Sequence, residues 1–534
     1  MKNSTTEPAE QLVQALASME IKNPNRLNKL KRQYANDNRL GIPTNAELLV
    51  AYRALLLKKQ IAPNQELEQL LKKRKIRTLS GVAPIAVLTK PHPCPGQCVF
   101  CPTEAAMPKS YLSNEPAVMR AERSQFDPFK QVTARLRALE NNGHDTDKVE
   151  LIIMGGTWSC HETDYQDWFV KRCFDGCNGK TSTKLAAAQK LNETAKHRIV
   201  AMTLETRPDY VDESEVVRMR ALGATKVELG VQAIDDKILH LNKRGHGVAA
   251  IVNATKLLKQ SGFKICYHIM PGLPGSTARR DLAMYKKLFS RAEFQPDFIK
   301  IYPTVVTKNS ELYKWWRAGE YIPYSEKALF DLLLKMKLAT PAYVRIIRLI
   351  RDIPEESIEA GNHITNLREA LQAELIRKNK KCRCLRCREV KDDLSGLEKA
   401  KLFITKYKAS NGTEYFLELA DKKSGKLFAF LRLRLPNKKE ANFISDLTGS
   451  AMIREIHTYG QMAPLVFKQT TGAQHQGLGA RLMMEAEAIA IKQGFTKLAV
   501  ISGIGVRGYY RKLGYELQGT YMVKSLKKLA AHGK

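Results

Sequence analysis

Between residues 81 and 350, short apolar runs rich in β-formers alternate with longer stretches of helical periodicity. This alternation constrains the fold more than any other feature. The runs are IAVLTK (85–90), ELIIM (150–154), IVAMTL (199–204), KVELGV (226–231), KICYHIM (264–270) and FIKIYP (298–303), with a further run, YVRIIRLI, at 343–350. One intervening segment, AAIVNATKLLKQSG, ends on Gly262, where a glycine can close a helix in the left-handed conformation. Repeated βα units imply parallel strands joined by right-handed crossovers. The expectation is an α/β chain with a partial (βα)6 barrel over about residues 81–375. In such sheets the reactive groups gather at the carboxyl ends of the strands.

A C-x3-C-x2-C motif, PCPGQCVFCP, follows the first run directly. Three thiolates this close, Cys94, Cys98 and Cys101, suit three irons of a [4Fe–4S] cubane and leave the fourth iron without a protein ligand. An open iron is what the amino and carboxylate groups of S-adenosylmethionine need. The motif resembles that of the radical S-adenosylmethionine enzymes. Other candidates stand at later strand ends: Gly155, Gly156 and Thr157, Glu205 and Arg207, Glu228 and Gln232, and His268. Each alone reads as a turn or a satisfied polar group. Together, on one rim, they read as a cofactor and substrate bowl.

Beyond residue 400 the texture changes. LFITKYK, EYFLELA and KLFAFLRLRL suggest meandering antiparallel strands. AMIREIHTYG follows, then a long helix from about 475, the strand KLAVIS, a short helix near 506–513 and a last strand near 516–523. The loop Gln474-His475-Gln476-Gly477-Leu478-Gly479-Ala480 opens the long helix, where free N–H groups and the helix dipole favour a pyrophosphate. That order resembles the GNAT fold, which binds acetyl-CoA; GNAT enzymes often place a tyrosine near the thioester, and Tyr509 and Tyr510 stand where one is expected. Residues 376–399 form a connector holding Cys382, Cys384 and Cys387. This triplet reads as a structural Zn2+ site, with three reduced thiols or a second iron–sulfur cluster as alternatives.

The charge narrows the partner. There are 87 Lys and Arg against 54 Asp and Glu, a formal net charge of +33. So large an excess repels itself unless a polyanion offsets it, and nucleic acid is the leading candidate. Residues 1–20, polar and acidic, read as a flexible tail without an export signal. Residues 21–80 read as a basic helical arm with fourteen Lys/Arg and four Asp/Glu, offering Lys29, Lys31, Arg32, Lys72, Lys73, Arg74 and Lys75 to RNA phosphates. No run of about 18 apolar residues predicts a membrane span. Clustered cysteines without an export signal point to a reducing cytoplasm.

The combination resembles one family, the catalytic subunit of Elongator with its single-chain prokaryotic relatives. The resemblance rests on MGGT (154–157), LETRPD (204–209), VELGVQA (227–233), MPGLPG (270–275), KIYPT (300–304), CRCLRCREV (382–390), IREIHTYG (453–460), QHQGLGA (474–480) and YYRKLGYELQG (509–519). It implies carboxymethylation of carbon 5 of the wobble uridine in the tRNA anticodon loop. A radical derived from S-adenosylmethionine would activate the methyl group of acetyl-CoA. It implies acetyl-CoA contacts at Lys148, at Glu455, Ile456, His457 and Thr458, at Leu478, Gly479 and Ala480, and at Tyr510. Gln474, Gly477 and Tyr509 join them from the glycine loop and the tyrosine pair. The short x3 spacing is of the prokaryotic type, so the other Elongator subunits are not expected to be required; a homodimer is left open. The rival readings are a protein lysine acetyltransferase using only the C-terminal domain, and a non-catalytic RNA-binding scaffold.

Overall fold

The computed structural model of the chain describes residues 6–21, 23–72, 81–391, 393–460 and 477–526. Four helices open it: α1 (Thr6–Ala17), α2 (Pro24–Asp37), α3 (Asn45–Leu57) and α4 (Gln65–Leu71). Side chains close the N-termini of α2, α3 and α4. Asn23 accepts from the Arg26 N–H, Asn64 from the Leu67 N–H, and Thr44 and Glu47 form a reciprocal capping box. Leu12, Val13 and Leu16 of α1 pack with Leu27, Leu48, Leu49, Tyr52, Leu55 and Leu67 in a core of their own. Within the expected flexible tail over 1–20, Thr6–Ala17 is instead a packed helix, and residues 1–5 lie outside the described residues. Ala9, Leu12, Val13 and Leu16 recur at helical spacing, and that stripe outweighs a polar composition. The expected arm is likewise part of a folded helical unit.

Seven parallel strands follow: β1 (Ala83–Leu88), β2 (Lys148–Met154), β3 (Arg198–Thr206), β4 (Lys226–Gln232), β5 (Lys264–Ile269), β6 (Phe298–Ile301) and β7 (Arg345–Arg348). They lie side by side in chain order in one open, all-parallel sheet. The six expected strands are present, and the run at 343–350 adds the seventh. Register aligns polar side chains across it: Glu205 opposite Glu228, Glu228 opposite Cys266, and His268 opposite Lys300.

The C-terminal sheet contains β8 (Lys401–Ala409), β9 (Gly412–Asp421), β10 (Lys426–Pro436), β11 (Ser450–Thr458), β12 (Lys497–Val500), β13 (Glu516–Gln518) and β14 (Tyr521–Ser525). Their order is 13-14-12-11-10-9-8, with β11 and β12 parallel and the other pairs antiparallel. The helix Leu478–Lys492 lies between the two parallel strands in sequence. The single last strand expected at 516–523 is a hairpin, because Gly519 turns the chain at a φ of +52°.

The two sheets share one core. Met452, Ile501, Ile504 and Tyr521 pack in the same cluster as the barrel residues. Gly262 closes its helix at a φ of +83°, and any Cβ there would overlap Met452. Gly503 lies so close to the Val200 carbonyl that a side chain would collide with backbone. A buried charge network crosses the same boundary. Asp297, ahead of β6, pairs with Lys259 at 3.1 Å and with Arg454 of β11. Arg454 also reaches Glu414 at 2.9 Å, which takes Arg434 at 3.1 Å. The C-terminal sheet thus covers the ends where β3, β5 and β6 begin, away from the cysteine loop.

Candidate radical and acyl-donor sites

The loop carrying Cys94, Cys98 and Cys101 leaves the carboxyl end of β1, as expected. Backbone bonds fix it: Val99 N–H to Asn242 O at 3.3 Å, Leu312 N–H to Val99 O at 2.8 Å, and Thr103 N–H to Asn309 O at 2.8 Å. Among the described residues, two sets of three ligand atoms lie within 4.8 Å of one another, Cys382/Cys384/Cys387 and Glu228/Cys266/His268. The first cysteine triplet is not one of them. A single tetrahedral ion with Zn–S bonds of about 2.3 Å holds its sulfurs roughly 3.8 Å apart. The linker triplet fits one ion, and the wider triplet suits a cluster. Burial, and then the neighbouring Cys98, push the Cys101 thiol up to about 11, so the thiolate form would have to be drawn out by a bound metal.

The next strand ends close around this loop. Gly155 and Gly156 have φ of +135° and +97°, and a Cβ on Gly155 would overlap the Thr89 hydroxyl. Thr157 Oγ1 stands 3.7 Å from Cys94 Sγ. Arg207 forms a two-pronged bond to Asp209 and donates to the Arg244 carbonyl, while its buried Nη1 has no partner. Gln232 takes a φ of +65°, a strained conformation for a non-glycine residue. Glu228 accepts from Lys300 and bonds His268 at 3.0 Å; His268 also lies 3.7 Å from Glu205, which accepts from the Tyr111 hydroxyl at 3.0 Å. Burial would raise the pKa of Glu228, but Lys300 and His268 hold it well below the usual carboxylate range. The bowl is lined by a fixed ladder of charges.

Sequence reasoning missed Lys300, Tyr111 and Arg244. Lys300 was visible as a lone charge inside FIKIYP, two residues from Phe298 on the inward face. Tyr111 and Arg244 come from loops whose positions no periodicity announces.

The scan for known families matches residues 92–288 to the Radical SAM superfamily and residues 296–377 to the Radical_SAM C-terminal domain. The chain is 46% identical over 518 residues to the tRNA uridine(34) acetyltransferase of Methanocaldococcus jannaschii, covering 94% of each chain. It belongs to that family. The Homo sapiens Elongator complex protein 3 is 37% identical over 528 residues, covering 94% of this chain and 93% of its own. Among solved structures, the archaeal Methanocaldococcus infernus Elp3 with an N-terminal deletion superposes with a TM-score of 0.73 at 44% identity. That match covers 84% of this chain and 99% of the other.

A second candidate site lies in the C-terminal sheet. Gly477 takes a φ of +70° and the helix begins at Leu478. A Cβ on Gly479 would meet the Tyr509 hydroxyl at 3.0 Å, Ile456 at 3.7 Å and Thr458 at 3.9 Å. The helix start, β11 and Tyr509 therefore converge. Strand alternation separates the other β11 candidates. Glu455 pairs with Arg432 at 2.8 Å, and His457 stacks on Phe430, both on the barrel side. The tyrosine pair also divides. Tyr509 is 40% exposed, whereas Tyr510 is buried among core residues, so the two expected candidates do not face the same surface. Lys148 lies at the end of β2 opposite the cysteine loop, in register with Arg198, against which Gly505 packs. Gln474 lies outside the described residues, as do Lys73, Arg74 and Lys75.

On the helical unit, Lys29 and Arg32 are exposed. Lys31 is not: its ammonium is buried and donates to Asn45 at 2.8 Å, and burial lowers its pKa. It faces the core, one position off the exposed stripe, and is removed from the RNA-contact set. Lys72 pairs with Glu68 at 3.1 Å. In the linker, Leu385 N–H bonds the Val344 carbonyl and Val390 N–H the Leu427 carbonyl, tying β7 to β10. Cys384 is the thiol held lowest, because Cys382 and Cys387 donate to it. No helix among the described residues is long and apolar enough to cross a membrane.

Proposed function

We propose that this chain modifies the wobble uridine of tRNA, building a carboxymethyl group on carbon 5 from acetyl-CoA. The observation that carries the reading is the presence, in one chain of this family, of a cysteine loop at the barrel mouth and a glycine-helix site in a sheet sharing the barrel's core. We assign residues 81–375 to the radical domain, 376–399 to the linker and 400–534 to an acetyl-CoA-binding domain of GNAT type. Cys94, Cys98 and Cys101 hold the cluster, and the Gly155–Gly156 turn lets S-adenosylmethionine approach backbone. When bound, the two would supply a 5′-deoxyadenosyl radical. Carbon 5 of uracil is a poor nucleophile, so plain acyl transfer would not serve. Gly477–Ala480 bind the pyrophosphate, and Tyr509 orients the thioester. Lys29 and Arg32 hold RNA phosphates, and Cys382, Cys384 and Cys387 bind Zn2+ as a structural pin.

A lysine acetyltransferase would leave the cysteine loop and the buried Glu228–Lys300–His268 group without a task. The test is anaerobic incubation of reconstituted protein with tRNA, S-adenosylmethionine, dithionite and labelled acetyl-CoA, with nucleosides read by mass spectrometry. Labelled carboxymethyluridine that disappears in Cys98→Ser supports the reading. Its absence from parental protein with an intact cluster overturns it.

A further inference from the structure

Arg244 follows the helix Asp236–Leu241 and is 5% exposed. Its Nη1 donates to Cys98 Sγ at 3.0 Å, its Nη2 donates to the Gly230 carbonyl, and the same nitrogen lies 3.1 Å from His246 Nε2. Burial, and then the charge of Arg244, push His246 down to about 4, so that imidazole is neutral. Among the described residues, no carboxylate lies within 4.0 Å of the Arg244 guanidinium. A buried cation without a counter-charge is costly on general grounds. The side chain that meets Arg244 Nη1 is the Cys98 sulfur, which would carry thiolate charge once it ligates a cluster. Arg207 differs: its charge is matched by Asp209, although its Nη1 presses against Gly96 beside the same sulfur.

We infer that Arg244 sets the reduction potential of the cluster held by Cys98. The inference rests on the cluster reading above. Reduction adds one electron from an external one-electron donor to the cluster, with no bond made and no proton moved. The added negative charge is stabilised by a fixed cation donating to a ligand sulfur, and hydrogen bonds to sulfur and local charge are general levers on such potentials. Arg244 therefore makes the cluster easier to reduce. It is a positioning and tuning residue, not one that touches the reacting carbon atoms.

The experiment is a redox titration of anaerobically reconstituted full-length protein, with dithionite as reductant and electron paramagnetic resonance as readout, free of RNA and acetyl-CoA. Parental protein is compared with Arg244→Met, Arg244→Gln and Arg244→Lys, with iron and sulfide measured on each. Arg244→Met should lower the ratio of reduced to oxidised cluster at fixed potential at least tenfold, about 59 mV for a one-electron couple. Arg244→Gln should shift the same way, and Arg244→Lys, which keeps the charge, should shift least. Unchanged midpoints at parental iron content overturn the inference. If the Met and Gln forms lose the cluster, Arg244 is a structural support and the inference is overturned, whatever the midpoint of the Lys form. A parental protein with no cluster signal would instead refute the cluster reading itself.

Discussion

Asp297→Asn isolates the charge network that joins the two sheets. Asp297 is fully buried and faces Arg454, Lys259 at 3.1 Å and Arg432 at 3.6 Å, while its carboxylate also accepts from the Ile265 N–H at 2.9 Å. Lys259, Arg432, Arg434 and Arg454 make four cations, against the three anions Asp297, Glu414 and Glu455. Asparagine keeps the shape and an acceptor but leaves four charges against two. Breaking a buried pair this way costs about 3–5 kcal/mol, a large part of a typical stability of about 5–15 kcal/mol. The assay is urea unfolding followed by tryptophan fluorescence, which reports on the barrel because Trp158, Trp168, Trp315 and Trp316 all lie there, alongside far-UV dichroism for both sheets. Burial, and then Arg454, push Lys259 down to about 8 from an ordinary 10.5. The unfolded chain holds that proton to higher pH, so stability rises with pH between those values. In Asp297→Asn the rise should begin at lower pH. Adding Lys259→Met should recover at least about 1 kcal/mol by restoring balance. A cost below about 1 kcal/mol, the range of exposed pairs, would refute the reasoning.

Gly503→Ala should destabilise the protein by about 1–3 kcal/mol, since its Cβ meets the Val200 backbone rather than a side chain that can move; a thermal midpoint equal to parental would contradict the packing. Tyr509→Phe should weaken acetyl-CoA turnover while leaving the melting temperature unchanged, whereas Tyr510→Phe should leave turnover nearly intact; kinetics and calorimetry on the two variants separate them. Lys29→Glu with Arg32→Glu should lower tRNA affinity at least several-fold at 100 mM salt and flatten its salt dependence. Lys31→Ala should instead lower stability with little effect on filter binding. Chelation that strips one Zn2+ per chain should loosen the 376–399 linker to protease, and a chain with no zinc by elemental analysis would count against that assignment.

The barrel strands were legible because each is a dense apolar run between helical stretches. The cysteine loop was legible because ligand spacing is local. What joins the sheets was not. Arg432 and Arg434 in KLFAFLRLRL read as the wet face of an alternating strand, yet both are buried toward the barrel. Asp297 follows a proline and precedes a strand, the usual signature of a surface turn. Asp297 meets Arg432 and Arg454 across more than a hundred residues, and Arg434 closes on Glu414 of the neighbouring strand; no pattern local to a single strand reveals either. Lys31 differs for a local reason: it sits one position from Arg32, which faces outward, and a neighbouring position on a helix points elsewhere.

The shared core also has a consequence for how the chain is made. The barrel is complete in sequence by residue 348, but the sheet that covers the starts of β3, β5 and β6 does not begin until residue 401. At roughly 5–20 residues per second, the last 134 residues take on the order of 10 s to synthesise. During that interval Asp297, Lys259 and the apolar edge around Phe263 wait uncovered on the ribosome. Until those residues emerge, the barrel presents charges and apolar surface that its own C-terminal sheet is built to cover.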